Sequence, residues 1–355
     1  MSDLVALDED DLALVEALQR DPRAPWTEVA EVVGTNAVTA SRRWERLRAA
    51  GAAWVTGAPG PHSYHAQVLA YVEVTCLPSE KTRVAAELAG DAHALSVDIT
   101  AGGRDLLMTV AAVDLPTLAR YLLERLDRVP GVTGSRVRVA TRLFAEGSLW
   151  RLGVLPAATG NGDGTSAGAV LPAPRPVVLD GVDRELMARL GVDGRASYAS
   201  LAQATGISQP TARRRVDRLI SSGAVLLRTE VAAPLAGWPV TVVLSANAPA
   251  GRLDEAAARA GRMRQVRLSA TLAGTPSLLV TAWLTSLDQV HRFEQDLVHQ
   301  VPDAEVVDRL VVLRPVKRMG HLLDVSGRAT GAVRMEVWND PVPADPTSGR
   351  SVNPV

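Results

Sequence analysis

The side chains best equipped for chemistry are arginines gathered on one short stretch, Thr211-Ala-Arg-Arg-Arg-Val-Asp-Arg-Leu-Ile-Ser-Ser-Gly223. A guanidinium is permanently charged and presents a fork of donors that fits phosphate oxygens and guanine edges, so a row of them reads as a surface for nucleic acid. Arg214 and Arg218 lie four apart and Arg215 and Arg218 three apart, which sets them on one helical stripe, while Ala212, Val216 and Leu219 fall on a buried one. Upstream, Tyr198 to Thr205 reads as a short helix stopped by Gly206, and Ser208 caps the next. The pattern is helix, tight turn, helix. The expected DNA contacts of this head are Ser208, Gln209, Thr211, Arg213, Arg214, Arg215 and Arg218, with Gln209 suited to adenine and the hydroxyls to a phosphate at the helix start.

The stretch occurs twice. Leu7-Asp8 corresponds to Leu179-Asp180, an offset of 172 (179 minus 7), and without a gap Asp11 then meets Asp183, Arg23 meets Arg195, Gly34 meets Gly206, Arg42-Arg43 meets Arg214-Arg215 and Arg46-Leu47 meets Arg218-Leu219. The register holds beyond the helices, since Gly102 meets Gly274 and Val129-Pro130 meets Val301-Pro302. The chain is two copies of one unit of roughly 140 residues. In the first head the expected DNA contacts are Asn36, Thr39, Ser41, Arg42, Arg43 and Arg46.

The elements that must carry these residues follow from period. Asp8 to Arg20, Trp26 to Val33 and Ala37 to Ala50 read as three helices. In the second unit Val225 to Glu230 reads as the strand of a wing; in the first, Gly57-Ala-Pro-Gly-Pro61 predicts a shorter or irregular one. Each unit then changes to alternation, as in Val68 to Thr75, and continues in the order βαββαβ. The fold class is α+β, two tandem units, each a winged helix-turn-helix followed by a ferredoxin-like domain. The expected boundaries are heads at 1–60 and 177–232, ferredoxin-like domains at 65–150 and 236–318, a flexible linker at 151–176 and a partly disordered tail at 319–355. Val137, Val139, Val242, Val280 and Ala282 predict a partly apolar open sheet face, which needs a partner.

Bulk composition limits the partners. A net charge of −1 confines any nucleic-acid surface to the arginine helices. There are 36 arginines and two lysines, Lys81 and Lys317, a bias that points to a GC-rich genome rather than to an activity. The single cysteine, Cys76, excludes an intramolecular disulfide or cysteine metal cluster and fits a reducing cytosol. No stretch approaches the roughly 18 apolar residues of a membrane span, no leader opens the chain, and a cytoplasmic location is expected. The six histidines form no metal-spaced cluster and no phosphate-binding glycine loop occurs, so neither metal nor cofactor is expected.

A helix-turn-helix opening with Leu-Asp and followed by a βαββαβ domain with a glycine turn resembles the Lrp/AsnC (feast/famine) family of bacterial and archaeal transcription regulators. The resemblance runs from Leu7 to about Leu143 and from Leu179 to about Arg314, with Thr35-Asn36 and Trp44 standing where the family usually has an apolar-Ser pair and Val. It implies duplex DNA as partner, sheet-to-sheet pairing here satisfied within one chain, further assembly into a dimer of fused chains, and a small effector, an amino acid or related metabolite, near the glycine turn. The residues of the two turns are Gly102, Gly103, Arg104 and Asp105, and Gly274, Thr275 and Ser277. Arg104 and Asp105 would meet the carboxylate and ammonium of an amino acid; Ser277 replaces the acid in the second copy. The resemblance implies a regulator, not an enzyme.

Two other classes share the outline. Siroheme decarboxylases have this fold pattern, but their His and Tyr signature near the second and third strands is missing from Ile99 to Val110 and from Thr271 to Ala282. A co-regulator that binds ligand or protein without DNA is the third reading.

Overall fold

The computed structural model describes residues 6–60, 67–156 and 177–342. The first head is α1 (Glu9–Arg20), α2 (Trp26–Val33) and α3 (Ala37–Ala49), followed by β1 (Ala53–Pro59). The first lobe is β2 (Val68–Cys76), α4 (Lys81–Ala89), β3 (Ala94–Ala101), β4 (Leu106–Ala112), α5 (Leu115–Arg120, extended to Arg128 by a π turn and a 3-10 turn) and β5 (Val132–Ala145). The second head is α6 (Gly181–Val192), α7 (Tyr198–Thr205) and α8 (Gln209–Ser221), followed by β6 (Val225–Val231). Its lobe is β7 (Val240–Asn247), α9 (Leu253–Gly261), β8 (Val266–Leu272), β9 (Leu278–Leu284), α10 (Gln289–Gln300) and β10 (Glu305–Arg318), and a hairpin, β11 (His321–Leu323) and β12 (Ala329–Ala332), follows.

Each lobe has the ferredoxin-like strand order, β3-β4-β2-β5 and β8-β9-β7-β10, all antiparallel. The two sheets are joined at both edges. β5 pairs with β8 and β10 pairs with β3, so eight strands close on themselves as a barrel, to which β11 and β12 add at β10. Closure leaves neither lobe with a bare edge to template aggregation.

Side-chain parity then sorts the core. Val68, Ala70, Val72 and Val74 pack under α4 and α5, and Val242, Leu244, Val280 and Ala282 pack under α9 and α10. The opposite faces carry Tyr71, Leu107, Val243, Leu279, Leu310 and Val312, which meet between the two sheets. Each fully buried Leu or Val contributes about 1.5–3 kcal/mol. The face expected to be open is therefore corrected: Val242, Val280 and Ala282 belong to the helix-covered core, Val137 and Val139 pack against its counterpart, and the joining face is carried by residues of the other parity.

Two further expectations are corrected, and the first part of the tail is placed. β1 is not shortened: it spans seven residues, as β6 does, because the two strands pair with each other rather than forming separate wings. Residues 151–155 are no linker, since Leu152 is buried in the first head's core and its amide donates to Gln19, while the amides of Val154 and Leu155 donate to Glu16; residues 157–176 lie outside the described part. The tail is ordered through 342, with Met335 and Val337 buried against Leu95, Ala58 and Ala111; residues 343–355 lie outside the described part.

Candidate nucleic-acid interface and effector turns

The two recognition helices are built alike. Gly34 and Gly206 end α2 and α7 at φ 70° and 68°, a left-handed turn open to glycine at little cost, and redirect the chain into α3 and α8. The Asn36 side chain accepts from the Thr39 amide at 2.9 Å, and Ser208 from the Thr211 amide at 3.4 Å, so these two residues serve as caps. Ala40, Trp44 and Leu47 anchor α3, while Ala212, Val216 and Leu219 anchor α8. Trp44 is thus an inward packing residue, 2% exposed.

Of the arginines assigned to DNA, four are held by carboxylates of their own head. Arg43 Nη1 lies 2.7 Å from Asp8 and 2.9 Å from Asp11, and Arg46 Nη2 lies 2.5 Å from Asp11. The second head repeats this: Arg215 Nη1 is 2.7 Å from Asp180 and 2.9 Å from Asp183, and Arg218 Nη2 is 2.5 Å from Asp183. The hydrogen bond from Arg215, followed by the Asp183 amide, holds the Asp180 carboxyl below the usual range. Because Asp11 and Asp183 are buried on the first helices, these pairs staple α3 to α1 and α8 to α6. Arg43 and Arg215, expected as DNA contacts, are half-buried staples in this structure, while Arg46 and Arg218 are exposed and have further N–H donors beyond those pairs.

Arg42 and Arg214 differ. They occupy equivalent positions, both are exposed, and neither makes an ion pair among the described residues. Arg213 is also exposed, in a loose 3.7 Å pair with Asp217 and 5.9 Å from the centre of the Tyr198 ring. Gln209 is exposed at the start of α8, and Thr39, Ser41 and Thr211 are half-buried.

At the effector turns, Gly102 and Gly274 have φ 110° and 106°, and Gly103 and Thr275 are exposed. Arg104 and Asp105 already have partners. Arg104 Nε donates to Glu73 at 2.5 Å and the same guanidinium pairs with Asp308 of the second lobe, while Asp105 accepts from the Cys76 amide at 2.8 Å and faces Lys81 Nζ at 2.6 Å. Ser277 Oγ accepts from the Ala248 amide at 3.2 Å. Both groups expected for an amino acid are thus engaged within the protein: Arg104 ties the first lobe to the second through Asp308, and Asp105 is held within the first lobe. Sequence reasoning missed Asp11, Asp183, Glu73 and Asp308; the recurrence of Asp11 as Asp183 was the one available signal. Among the described residues no group of three His, Cys, Asp or Glu is placed to hold a metal, and no helix is long and apolar enough to cross a membrane.

Two capped helix-turn-helix heads, each with an exposed arginine on its third helix, define a DNA-binding transcriptional regulator. Known proteins agree. The AsnC-type helix-turn-helix domain matches residues 7–48 and again 179–220, and the Lrp/AsnC ligand binding domain matches residues 69–149. An uncharacterised HTH-type transcriptional regulator of Pyrococcus horikoshii is 28% identical over 138 residues, 39% of this chain and 87% of the relative. The HTH-type transcriptional regulator AldR of Mycobacterium tuberculosis is 30% identical over 110 residues, 30% of this chain and 62% of that one. In fold, the siroheme decarboxylase NirDL, solved with an iron-uroporphyrin III analogue, superposes with a TM-score of 0.57 at 12% identity, covering 88% of this chain and 93% of that one. The chain belongs to the Lrp/AsnC family, as two fused family units.

Proposed function

We propose that the fused chain is an intrachain pseudo-dimer that presents both heads to one stretch of duplex DNA. The observation that carries this reading is the register of β1 with β6, centred on the pair Thr56–Arg228, which are equivalents at the 172-residue offset. Strands paired about their own equivalents are related by a local two-fold, the symmetry of a palindromic operator. Since the heads differ in sequence, the preferred site is an imperfect palindrome with half-sites about one or two helical turns apart. Domain limits follow the heads and lobes above, the working compartment is the cytoplasm, and fused chains pair further into a dimer.

The test is a titration of labelled duplex from the gene's own upstream region. Arg42→Ala with Arg214→Ala weakens binding by more than about tenfold and lowers the salt slope by about two phosphate contacts. Unchanged affinity in the double variant removes these helices from the interface.

The effector in this reading is a small molecule, an amino acid or related metabolite, acting at the Gly102 turn. Its carboxylate competes with Asp308 for Arg104, so binding loosens one link between the lobes. Thermal-shift screening of the twenty amino acids, with Asp308→Asn as the sensitised variant, tests it; no shift with any of them in either protein sinks the amino-acid assignment.

One observation favours an enzymatic reading, the superposition of both units on a siroheme decarboxylase. Fold alone does not carry chemistry. An absorbance titration with iron-uroporphyrin III decides it: a shifted, saturating band supports tetrapyrrole binding and its lack removes the reading.

A further inference from the structure

A cavity of about 550 Å³ lies between the barrel strands and the β1–β6 ribbon. That is within the size range of small-molecule sites. Its walls include Leu69, Leu107 and Leu279, and its polar end carries Arg228, Arg267, Arg318 and Glu146. Thr109, Thr241 and Thr281 in its lining are half-exposed and Arg142 at its rim is exposed, so it opens to solvent.

The polar end is a charge cluster only partly satisfied by the protein. Arg267 Nη2 donates to both oxygens of the fully buried Glu230, at 3.0 and 2.8 Å, and Arg228 pairs with Glu230 and with Glu146. Trp283 lies against two guanidinium groups, Arg267 at 3.9 Å and Arg318 at 5.0 Å from its ring centre. Arg318 makes no ion pair among the described residues. Arg267 Nη1 and Arg228 Nε, both donors, have no hydrogen-bond partner, nor do Tyr71 Oη and Asp98 Oδ1. Such groups, left unpaired away from water, each cost about 1–3 kcal/mol.

The duplication supplies an internal control. At the 172-residue offset, Arg267 answers to Leu95, Arg318 to Glu146, Arg228 to Thr56, Tyr71 to Val243 and Asp98 to Ala270. Four of these places carry Leu, Thr, Val and Ala in the other half, so the barrel does not require charge there; at the fifth, Arg318, the equivalent Glu146 is itself a member of the cluster. The polar groups are collected at one end while the leucines remain apolar.

We propose that this cavity binds one small organic anion with an apolar body and a hydrogen-bond donor beside its charge. The anionic head meets the half-buried Arg318, with Arg267 and Arg228 behind it as fixed positive charge, the donor faces the Asp98 carboxylate, and the body lies along Leu69, Leu107 and Leu279. This site is separate from the glycine turns and from the DNA surface.

The probe is 8-anilinonaphthalene-1-sulfonate, which has an anionic head, an N–H and an aromatic body; N-phenyl-1-naphthylamine is its uncharged counterpart. Fluorescence titration of the full chain is expected to give one saturable sulfonate site per chain, bound more tightly than the uncharged probe. Arg318→Gln is expected to weaken the sulfonate by about tenfold or more while sparing the uncharged probe, and Thr281→Trp to exclude both by filling the lining. No saturable site, no preference for the charged probe, an Arg318→Gln variant that binds both as before, or binding that survives Thr281→Trp overturns the proposal. If Thr281→Trp does not fold, the loss of charge preference in Arg318→Gln decides alone.

Discussion

Arg23 and Arg195 each reach into the other's head and make the same contacts there. Arg23 donates to the carbonyls of Gly194 and Ala196 at 2.7 and 3.0 Å, and Arg195 to those of Pro22 and Ala24 at 2.8 and 3.0 Å. Each also lies over an aromatic ring across the contact, Arg23 at 4.7 Å from the Tyr198 centre and Arg195 at 4.2 Å from that of Trp26. Donors, acceptors and rings all correspond at the same offset, so this is a two-fold handshake between heads. It fixes their spacing independently of the barrel below.

Removing the handshake therefore separates head geometry from fold. Arg195→Ala costs about 2 kcal/mol, from charge-assisted hydrogen bonds and the stacked ring, and adding Arg23→Ala is less than additive because both act on one contact. Urea unfolding measures the cost. Full additivity of the two would show that the contacts are energetically independent.

The staples make a second prediction with two readouts. Asp183→Asn removes the negative charge and one of the two carboxylate oxygens that hold Arg215 and Arg218, loosening α8 from α6 at a cost of about 1–3 kcal/mol. Released from their partner, both guanidinium groups become available to phosphate, so affinity for a random duplex rises and its salt slope steepens. Fluorescence anisotropy on such a duplex checks this; a loss of stability with no gain in non-specific binding contradicts it.

The third prediction concerns acid stability. Burial alone would raise the Glu230 carboxyl, but Arg228, Arg267 and Arg318 outweigh it and hold the group down to about 2 from an ordinary 4.5. A folded-state value below the unfolded one means that the stabilisation is present above pH 4.5 and is lost as pH falls from 4.5 towards 2. Glu146, raised by burial, acts in the opposite direction and is common to both proteins compared. Glu230→Gln leaves two buried arginines short of a counter-charge and costs about 3–5 kcal/mol at neutral pH. Its Tm deficit relative to wild type should shrink across that acid window; a deficit that does not change with pH rejects the linkage.

The duplication, the order of elements and the placement of the caps were legible because each leaves a local mark: period 3.6, alternation, or a glycine after the last turn. Face assignment was not. β2 carries apolar residues on both parities, Val68, Ala70, Val72 and Val74 against Leu69 and Tyr71, since a barrel strand is covered on both sides and alternation loses its polar member. The staples were hidden for another reason. Arg43 and Arg46 look like a solvated basic stripe until Asp11, about thirty residues earlier, is brought under them. The wing was misread because the partner of β1 lies about 170 residues away. Met335 and Val337 belong to no periodic run, so their burial depends wholly on the pocket that Leu95 and Ala111 provide.

Barrel closure also bears on whom this protein can mix with. Relatives of one unit that meet it in the same cell would need an available seam to exchange subunits, and the edges of both four-stranded sheets are already taken, by β10 on β3 and by β5 on β8. Unlike heads are thereby locked at one to one, insulated from hybrid formation, and their ratio cannot drift with the expression of any paralogue.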